Sequence, residues 1–477
     1  MELNADRRYA PPGRLSVPEL LAATGGQLIA GPDEGTWALC TDTRELGDGA
    51  LFVALVGEHH DGHRFVANAL GSQACGALVA RDRSSVLALP EGLRGPVIAV
   101  DDTLVAFGAI AAAFLASFGP KVAAITGSVG KTTTRAMLAS ILTQQSEGLQ
   151  TRGNFNNRIG LPLTLLRMRA GQNWAVLELG MSEPGELRML ARIAAPHVRV
   201  ITEVTAAHLE FFPSVEAIAD AKGELFEGAQ AGDVLVMPAD NPLSARFPRP
   251  AGSIVVRFSL RADSDAEVKA LHIEGRGIAG SLARILVHGR SLEIEVPLAG
   301  RHQVHNALAA VAAAHAMGAP LSDIAAGIAQ VEVPGRRMKV HEVGGVTVLD
   351  DAYNANPASV AAALQTLAAI PTTGQRVAAL GDMLELGPTA GQLHAEVGAQ
   401  AAELGVDFLV GAGPLMHHAV VAARAAGMRA EAVADSPAAG GVLAASLSPG
   451  DLLLLKGSRG MKMEAALEPL VAGTGRN

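Results

Sequence analysis

One stretch constrains the fold before any other: Lys121 to Thr134, KVAAITGSVGKTTT. Val122 to Ile125 is a short apolar run of the kind that forms a buried strand, Gly127 and Gly130 make a turn, and Lys131 with three threonines opens the helical pattern RAMLASIL. A strand, a glycine turn and a helix N-terminus in that order turn backbone N–H groups and a partial positive charge towards an anion. The stretch reads as a phosphate-binding loop over Thr126, Gly127, Ser128, Val129, Gly130, Lys131, Thr132 and Thr133. Lys131 is placed to reach the terminal phosphates, and the Thr132 hydroxyl suits Mg²⁺. The common form G-x-x-x-x-G-K-[ST] asks for glycine at position 125, where Ile125 stands, so the match is to the shorter T-G-x-x-G-K-T. An ordinary strand-turn-helix joint is the bland alternative, but it does not require glycines, lysine and threonine all in register.

A chain of 477 residues is too long for one core, and three domains are expected. Hydrophobic residues at 49% against 18% charged exclude disorder as the dominant state. The net charge of −9 and 3% aromatics argue against nucleic acid, which asks for a basic face and stacking platforms. An anionic ligand must then be met by locally placed cations. Cys40 and Cys75 stand far apart without a CxxC, so neither a disulfide framework nor a zinc site is indicated, and a reducing compartment is expected. MELNADRRYA carries acids and no apolar h-region, so no secretory signal is read and a cytoplasmic location is expected. Thr103 to Pro120 is uncharged and nearly long enough to span a bilayer, but it is alanine-rich with Gly108, Ser117 and Gly119 inside. It ends directly at the phosphate loop, so it reads as a buried packing helix rather than a membrane span.

Before residue 100, short strand signals alternate with turns; Leu51 to Leu55 is the clearest strand. His59, His60, Asp61 and His63 could suggest a metal, but near-consecutive residues rarely converge on one ion, and a polar loop at a binding mouth is the simpler reading. From Lys121 to about Pro334, strands and helices alternate, which implies a mostly parallel sheet. Strands are expected at Val122 to Thr126, Ala175 to Leu179, Val198 to Val204 and Asp233 to Met237. Ligands gather at the carboxyl ends of such strands, which puts Glu178 and Glu203 near the loop. GRHQVHNALAAVAAAHAMG then opens a long apolar helix, either a core helix or a cap beside a nucleotide base. From about residue 334 a second α/β series begins, with strands at Val346 to Leu349, Val377 to Leu380, Asp407 to Val410 and Leu452 to Leu455. DDAYNANP, GDMLELG and KGSRG sit at strand ends.

The phosphate loop alone does not choose among kinases, switches, motors and ligases. The ordered set of motifs does. ITGSVGKTTT, NNRIGLPLTLL, VLELGMSEPGEL, ITEVTAAHLEFFPSVEAIADAKGELF, GRHQVHNALAA, PGRRM and DDAYNANPASV resemble, in this order, the Mur ligase family of cell-wall synthesis. DDAYNANP, LGDMLELG and KGSRG are similar to its branch that adds D-alanyl-D-alanine to UDP-N-acetylmuramoyl-tripeptide. The likeness runs from about Asp42 to Met463.

The resemblance implies an α/β protein of three domains: a small UDP-binding domain at 1–103, a central P-loop ATPase-like domain with a mostly parallel sheet at 104–333, and a C-terminal Rossmann-like, doubly wound domain at 334–477 that binds the dipeptide. It implies ATP, two Mg²⁺ ions, the small-molecule substrates UDP-N-acetylmuramoyl-tripeptide and D-Ala-D-Ala, and a monomer. By the same likeness Lys131 and Thr132 meet the β- and γ-phosphates and the first Mg²⁺. Glu178 is a metal ligand, His208 lies by the second metal, and Lys222 is carried as a Mg²⁺-binding carbamate, which asks for a depressed amine pKa. His302 and Asn306 lie on the adenine side, Asp351 binds ribose, and Arg336 reaches the γ-phosphate like a finger supplied in cis. Tyr353, Asn354, Asn356, Lys456, Ser458 and Arg459 meet the peptide substrates, Asn354 among the catalytic set, and Thr43 and Arg44 face the UDP end.

Three residues depart from the family pattern: Glu203 and Gln303 stand where asparagine is usual, and Arg337 where an apolar residue is common. An added carboxylate at 203 should cost phosphate affinity unless a cation offsets it. Another ligase of the superfamily, including the folylpolyglutamate type, is the near alternative; DDAYNANP in place of a D-Y-A-H-x-P motif speaks against it. A nucleotide-binding switch without ligation is the alternative of a different class.

Overall fold

The computed structural model describes residues 13–57, 60–71, 75–85, 89–207 and 209–474. The chain forms two compact units. One runs to Ala124 and takes in Ser146–Met181 and Glu186–His197; the other comprises Ile125–Gln145, Ser182–Gly185 and the chain from Val198 onward.

The first unit holds a six-stranded sheet in the order Arg14–Ser16, Thr36–Cys40, Ala50–Val53, Gly76–Ala80, Val97–Val100, Gln27–Ala30. Its inner strands are parallel and its two edge strands antiparallel. All four residues of Ala50–Val53 and of Val97–Val100 are buried, as expected of parallel strands covered on both faces. The alanine-rich run is the helix Thr103–Phe118. Asp102 caps it by accepting from the Leu104 and Val105 N–H groups at 2.7 and 3.0 Å, and Gly119 ends it at φ +59°. It buries Phe107, Ile110 and Phe114. Among the described residues no helix is long and apolar enough to cross a membrane. The same unit contains Gly148–Gln150 paired parallel to Trp174–Glu178, beside the start of Lys121–Thr126.

In the second unit the strands Arg290–Val296, Ser281–Val287, Val268–Gly275, Ile254–Ser259, Val234–Pro238 and Val198–Ile201 lie in that order, ending beside Thr126. The pairs nearest Thr126 are parallel, and the hairpins of Val268–Val296 are antiparallel. Helix Arg301–Met317 packs across this sheet through a run of buried alanines, Ala309 to Ala314 apart from Val311, whose small side chains permit close approach. The strand expected to reach Val204 stops at Ile201. Beyond it the Thr202 N–H still donates to Thr126 O at 2.9 Å, while Thr202 Oγ1 and the Glu203 carbonyl bond the phosphate loop.

The unit's other sheet has the order Lys339–Val343, Val346–Asp351, Leu452–Lys456, Arg376–Gly381, Phe408–Ala412, Arg429–Val433. It is parallel except for the first hairpin. Val360, Leu364, Val397 and Val420 pack on one face, Ala439, Leu443 and Ala466 on the other. Helices on both faces make it doubly wound, as expected.

Candidate nucleotide and ligation site

Each glycine of the phosphate loop answers a steric demand. Gly127 has φ +153° and lies so close to Thr202 Oγ1 that a Cβ would overlap it; Gly130, at φ +85°, meets Asn306 Oδ1 in the same way. The loop is then tied down by its neighbours. Ser128 N–H donates to Glu203 O at 2.7 Å, Thr202 Oγ1 donates to Val129 O at 2.6 Å, and Ser128 Oγ donates to Thr205 O at 3.1 Å. Lys131 Nζ donates to Gly127 O at 2.7 Å. Gly130 supplies no side-chain cap to helix Lys131–Thr143, whose N-terminus is turned to the loop. Thr126 Oγ1 and Thr205 Oγ1 are buried without a hydrogen-bond partner among the described residues. A glycine cradle that a Cβ would fill, a lysine, a helix N-terminus and orphaned hydroxyls together fit a polyphosphate.

Lys222, in helix Val215–Glu227, is buried. Burial pushes its ammonium well below the usual lysine value, and the charge of Lys131 adds to that. His208 lies outside the described residues. Glu178 belongs to the first unit, where it is buried at the end of Trp174–Glu178 and accepts from Asn156 Nδ2 at 3.0 Å.

Register in the last sheet gathers the strand-end motifs: Asp351 pairs with Lys456, and Lys456 with Leu380. Buried Lys456 forms an ion pair with Asp351 and donates to Asn354 O at 2.9 Å. Arg336 Nη1 pairs with the fully buried Asp350, and Tyr353 N–H donates to Arg336 O at 3.3 Å. Arg337 lies over the Tyr353 ring, 3.8 Å from its centroid. Ser458 Oγ accepts from Leu384 N–H at 2.9 Å, and Arg459 pairs with Glu464 at 2.8 Å. Asn356 caps helix Pro357–Ala369 in a capping box with Ser359, and exposed Asn354 accepts from Ala355 N–H. His302 faces this cluster from helix Arg301–Met317; burial lowers it to about 4, opposed by Asp351 and assisted by Lys456. Asn306 Nδ2 donates to Gln303 Oε1 at 3.0 Å, and the Asn306 backbone carbonyl accepts from Thr134 Oγ1 at 3.4 Å.

Thr43 and Arg44 form a short helical turn in the first unit, with Arg44 exposed and paired to Asp42 at 2.6 Å. His63 has both ring nitrogens engaged, Nδ1 with Asp61 and Nε2 with the Ala80 N–H, so it works as a structural histidine; His59 lies outside the described residues. Thr202, Thr205, His305 and Asp350 lie inside the family-like motifs with no role of their own expected from sequence, and Asn241 lies outside those motifs. The polar residues just past the strand at Val234–Pro238 were the available signal for Asn241.

The loop, the parallel sheet behind it and the second, doubly wound sheet define a P-loop α/β class of protein. Residues 125–314 match the Mur ligase middle domain, and residues 336–459 match the Mur ligase glutamate ligase domain. The chain is 37% identical to an Escherichia coli protein named UDP-N-acetylmuramoyl-tripeptide–D-alanyl-D-alanine ligase, covering 96% of this chain and 98% of that one. It superimposes on MurF from Acinetobacter baumannii with TM-score 0.87 and 31% identity, over 97% of this chain and 100% of that one. A MurF ligase from Thermotoga maritima in complex with ADP aligns with TM-score 0.78 and 25% identity, over 92% and 98%. The chain belongs to the Mur ligase family.

Proposed function

We propose that this chain is an ATP-dependent, ADP-forming ligase that joins D-alanyl-D-alanine to the terminal carboxylate of UDP-N-acetylmuramoyl-tripeptide. The observation that carries the reading is its likeness, over nearly the whole length of both chains, to a relative of that name. The phosphate loop supplies the chemistry such a reaction needs. The tripeptide carboxylate attacks the γ-phosphorus of ATP, the bond to the β,γ-bridging oxygen breaks, and ADP leaves. The neutral amine of D-Ala-D-Ala then adds to the acyl-phosphate carbonyl, giving a tetrahedral intermediate that expels phosphate and loses a proton to form the amide.

In this reading Thr126 to Thr133 hold the phosphates, and Lys131 offsets charge on the transferring group. His302 and Asn306 border the base, Asp351 takes the ribose, and Arg336 leaves Asp350 to meet the γ-phosphate. Tyr353, Asn354, Asn356, Lys456, Ser458 and Arg459 receive the peptide substrates; Thr43 and Arg44 receive the UDP end. Thr132, Glu178, His208 and Lys222 are assigned to two Mg²⁺ ions, which would neutralise phosphate charge when bound. Lys222 would serve as a carbamate formed from its neutral amine and CO₂ with loss of a proton. Its depressed pKa supports that role. The three sheets are read as three domains, 1–103, 104–333 and 334–477, of a cytoplasmic monomer.

Purified protein with ATP, Mg²⁺, D-Ala-D-Ala and the lysine or diaminopimelate UDP-tripeptide should give UDP-pentapeptide and phosphate in equal amounts. ATP hydrolysis of equal rate with and without both acyl and amine substrates would overturn the reading. Lys222→Ala should lose activity and regain part of it with added formate or acetate; no regain would remove the carbamate.

A further inference from the structure

Glu203 is the residue that least suits a phosphate site, since it places a carboxylate at the strand end facing the loop. Its hydrogen bonds show where that charge goes. Oε1 accepts from Asn241 Nδ2 and from the Val204 N–H at 3.0 Å, and Oε2 lies 3.6 Å from His305 Nε2. Asn241 is fixed in turn: its Nδ2 also donates to Val204 O at 2.9 Å, and its Oδ1 accepts from Leu243 N–H at 2.9 Å to open the turn Pro242–Arg246. His305 stands edge-on to Phe258, 5.0 Å between centroids. Among the described residues the other carboxylate acting on His305 is Asp240, which is itself bound by Ser259 Oγ at 2.7 Å and Leu260 N–H at 3.2 Å.

Three elements therefore meet at one side chain: the end of Val198–Ile201, the end of Val234–Pro238 and the second turn of Arg301–Met317. Two of them also grip the loop. Glu203 O receives the Ser128 N–H, and Asn306, one residue beyond His305, fits against Gly130. Moving the Glu203 backbone would shift the acceptor of the loop's own amide.

We propose that Glu203 is a positioning residue of the phosphate loop: its carboxylate, tied to Asn241 and His305, holds the carbonyl that receives the Ser128 N–H. It is a strut rather than a metal or nucleotide ligand. The inference rests on the reading that the loop binds a nucleotide, so that reading is tested in the same experiment.

The measurement is ADP affinity by calorimetry in Mg²⁺, with KM for ATP and kcat in the ligation assay and a melting curve for each variant. Glu203→Ala should raise the ADP Kd and the ATP KM about tenfold, the loss of roughly one hydrogen-bonded tie, with kcat changed less than about threefold. Glu203→Gln keeps an oxygen for Asn241 and Val204, and should stay within about threefold of wild type. Asn241→Ala should resemble Glu203→Ala, and the double variant should be little worse than either. It also carries the measurement if Glu203→Ala does not fold. Unchanged affinity in Glu203→Ala and Asn241→Ala overturns the inference alone. Glu203→Gln as impaired as Glu203→Ala, with a shifted Mg²⁺ requirement, makes the carboxylate a ligand and overturns it too. Wild-type protein that binds no ADP overturns the nucleotide reading and the inference together.

Discussion

Around Gly127 and Gly130 the chain is held by backbone carbonyls, hydroxyls and the absence of Cβ atoms; around Asp350 and Asp351 it is held by ions. The phosphate loop keeps its shape through Glu203 O, Thr202 Oγ1 and Thr205 O. The strand-end loops of the last sheet keep theirs through Arg336 with Asp350, Lys456 with Asp351 and Arg459 with Glu464. The difference teaches where each region is vulnerable. A loop shaped by backbone is expected to keep its structure when its charge is lost. An ion pair costs stability when the partner left behind is buried, as Asp350 is beside Arg336.

The largest expected effect tests the first half of that contrast. Lys131→Ala should lower ligation turnover by at least the roughly 10²–10³-fold typical of one positioned transition-state donor, while urea midpoints stay near wild type. Near-wild-type turnover would remove the loop from the reaction. Next, Lys456→Met should cost about 3 kcal/mol by urea unfolding, since it removes the cation from the Asp351 carboxylate, which is 15% exposed and keeps the Met338 N–H. Adding Asp351→Asn should recover part of that; no recovery would mean that packing, not charge, holds the cluster.

A smaller effect follows from His302, whose folded pKa of about 4 lies below the ordinary 6.5. The unfolded chain takes up that proton first, so stability falls as pH drops from 6.5 to 4 and this contribution is flat below. After discounting for partial exposure, the loss is on the order of 2 kcal/mol, and His302→Gln should flatten it. The smallest effect separates strain from crowding. Gly130→Ala and Gly232→Ala both face positive φ, but only Gly130 also meets Asn306 Oδ1, so it should cost about 1 kcal/mol more. Equal costs would leave backbone strain as the whole explanation.

Much of the fold was legible because its signals are local. The apolar runs at Val122, Val198, Val346 and Leu452 each became strands, and the alanine-rich stretch after Asp102 became a capped helix. The strand from Val198 ends three residues before its sequence pattern predicts, because Thr202 and Glu203 bond the phosphate loop and nothing nearby in sequence announces that. The roles expected of Asn356 and Arg336 rest on motif positions alone. That Asn356 is engaged as a helix cap, and that Arg336 is held by Asp350, depends on φ/ψ and on strand pairing.

By itself, the sequence determined the phosphate loop, the α/β periodicity and the family, since these reside in consecutive residues and ordered motifs. Only the tertiary structure decided which partner each charge takes. Lys456 meets Asp351 because two strands 105 residues apart pair in register, and Glu203 is drawn to Asn241 and His305 by the convergence of two strand ends and a helix. A carboxylate's effect depends on the few ångströms around it, and those distances are set by packing.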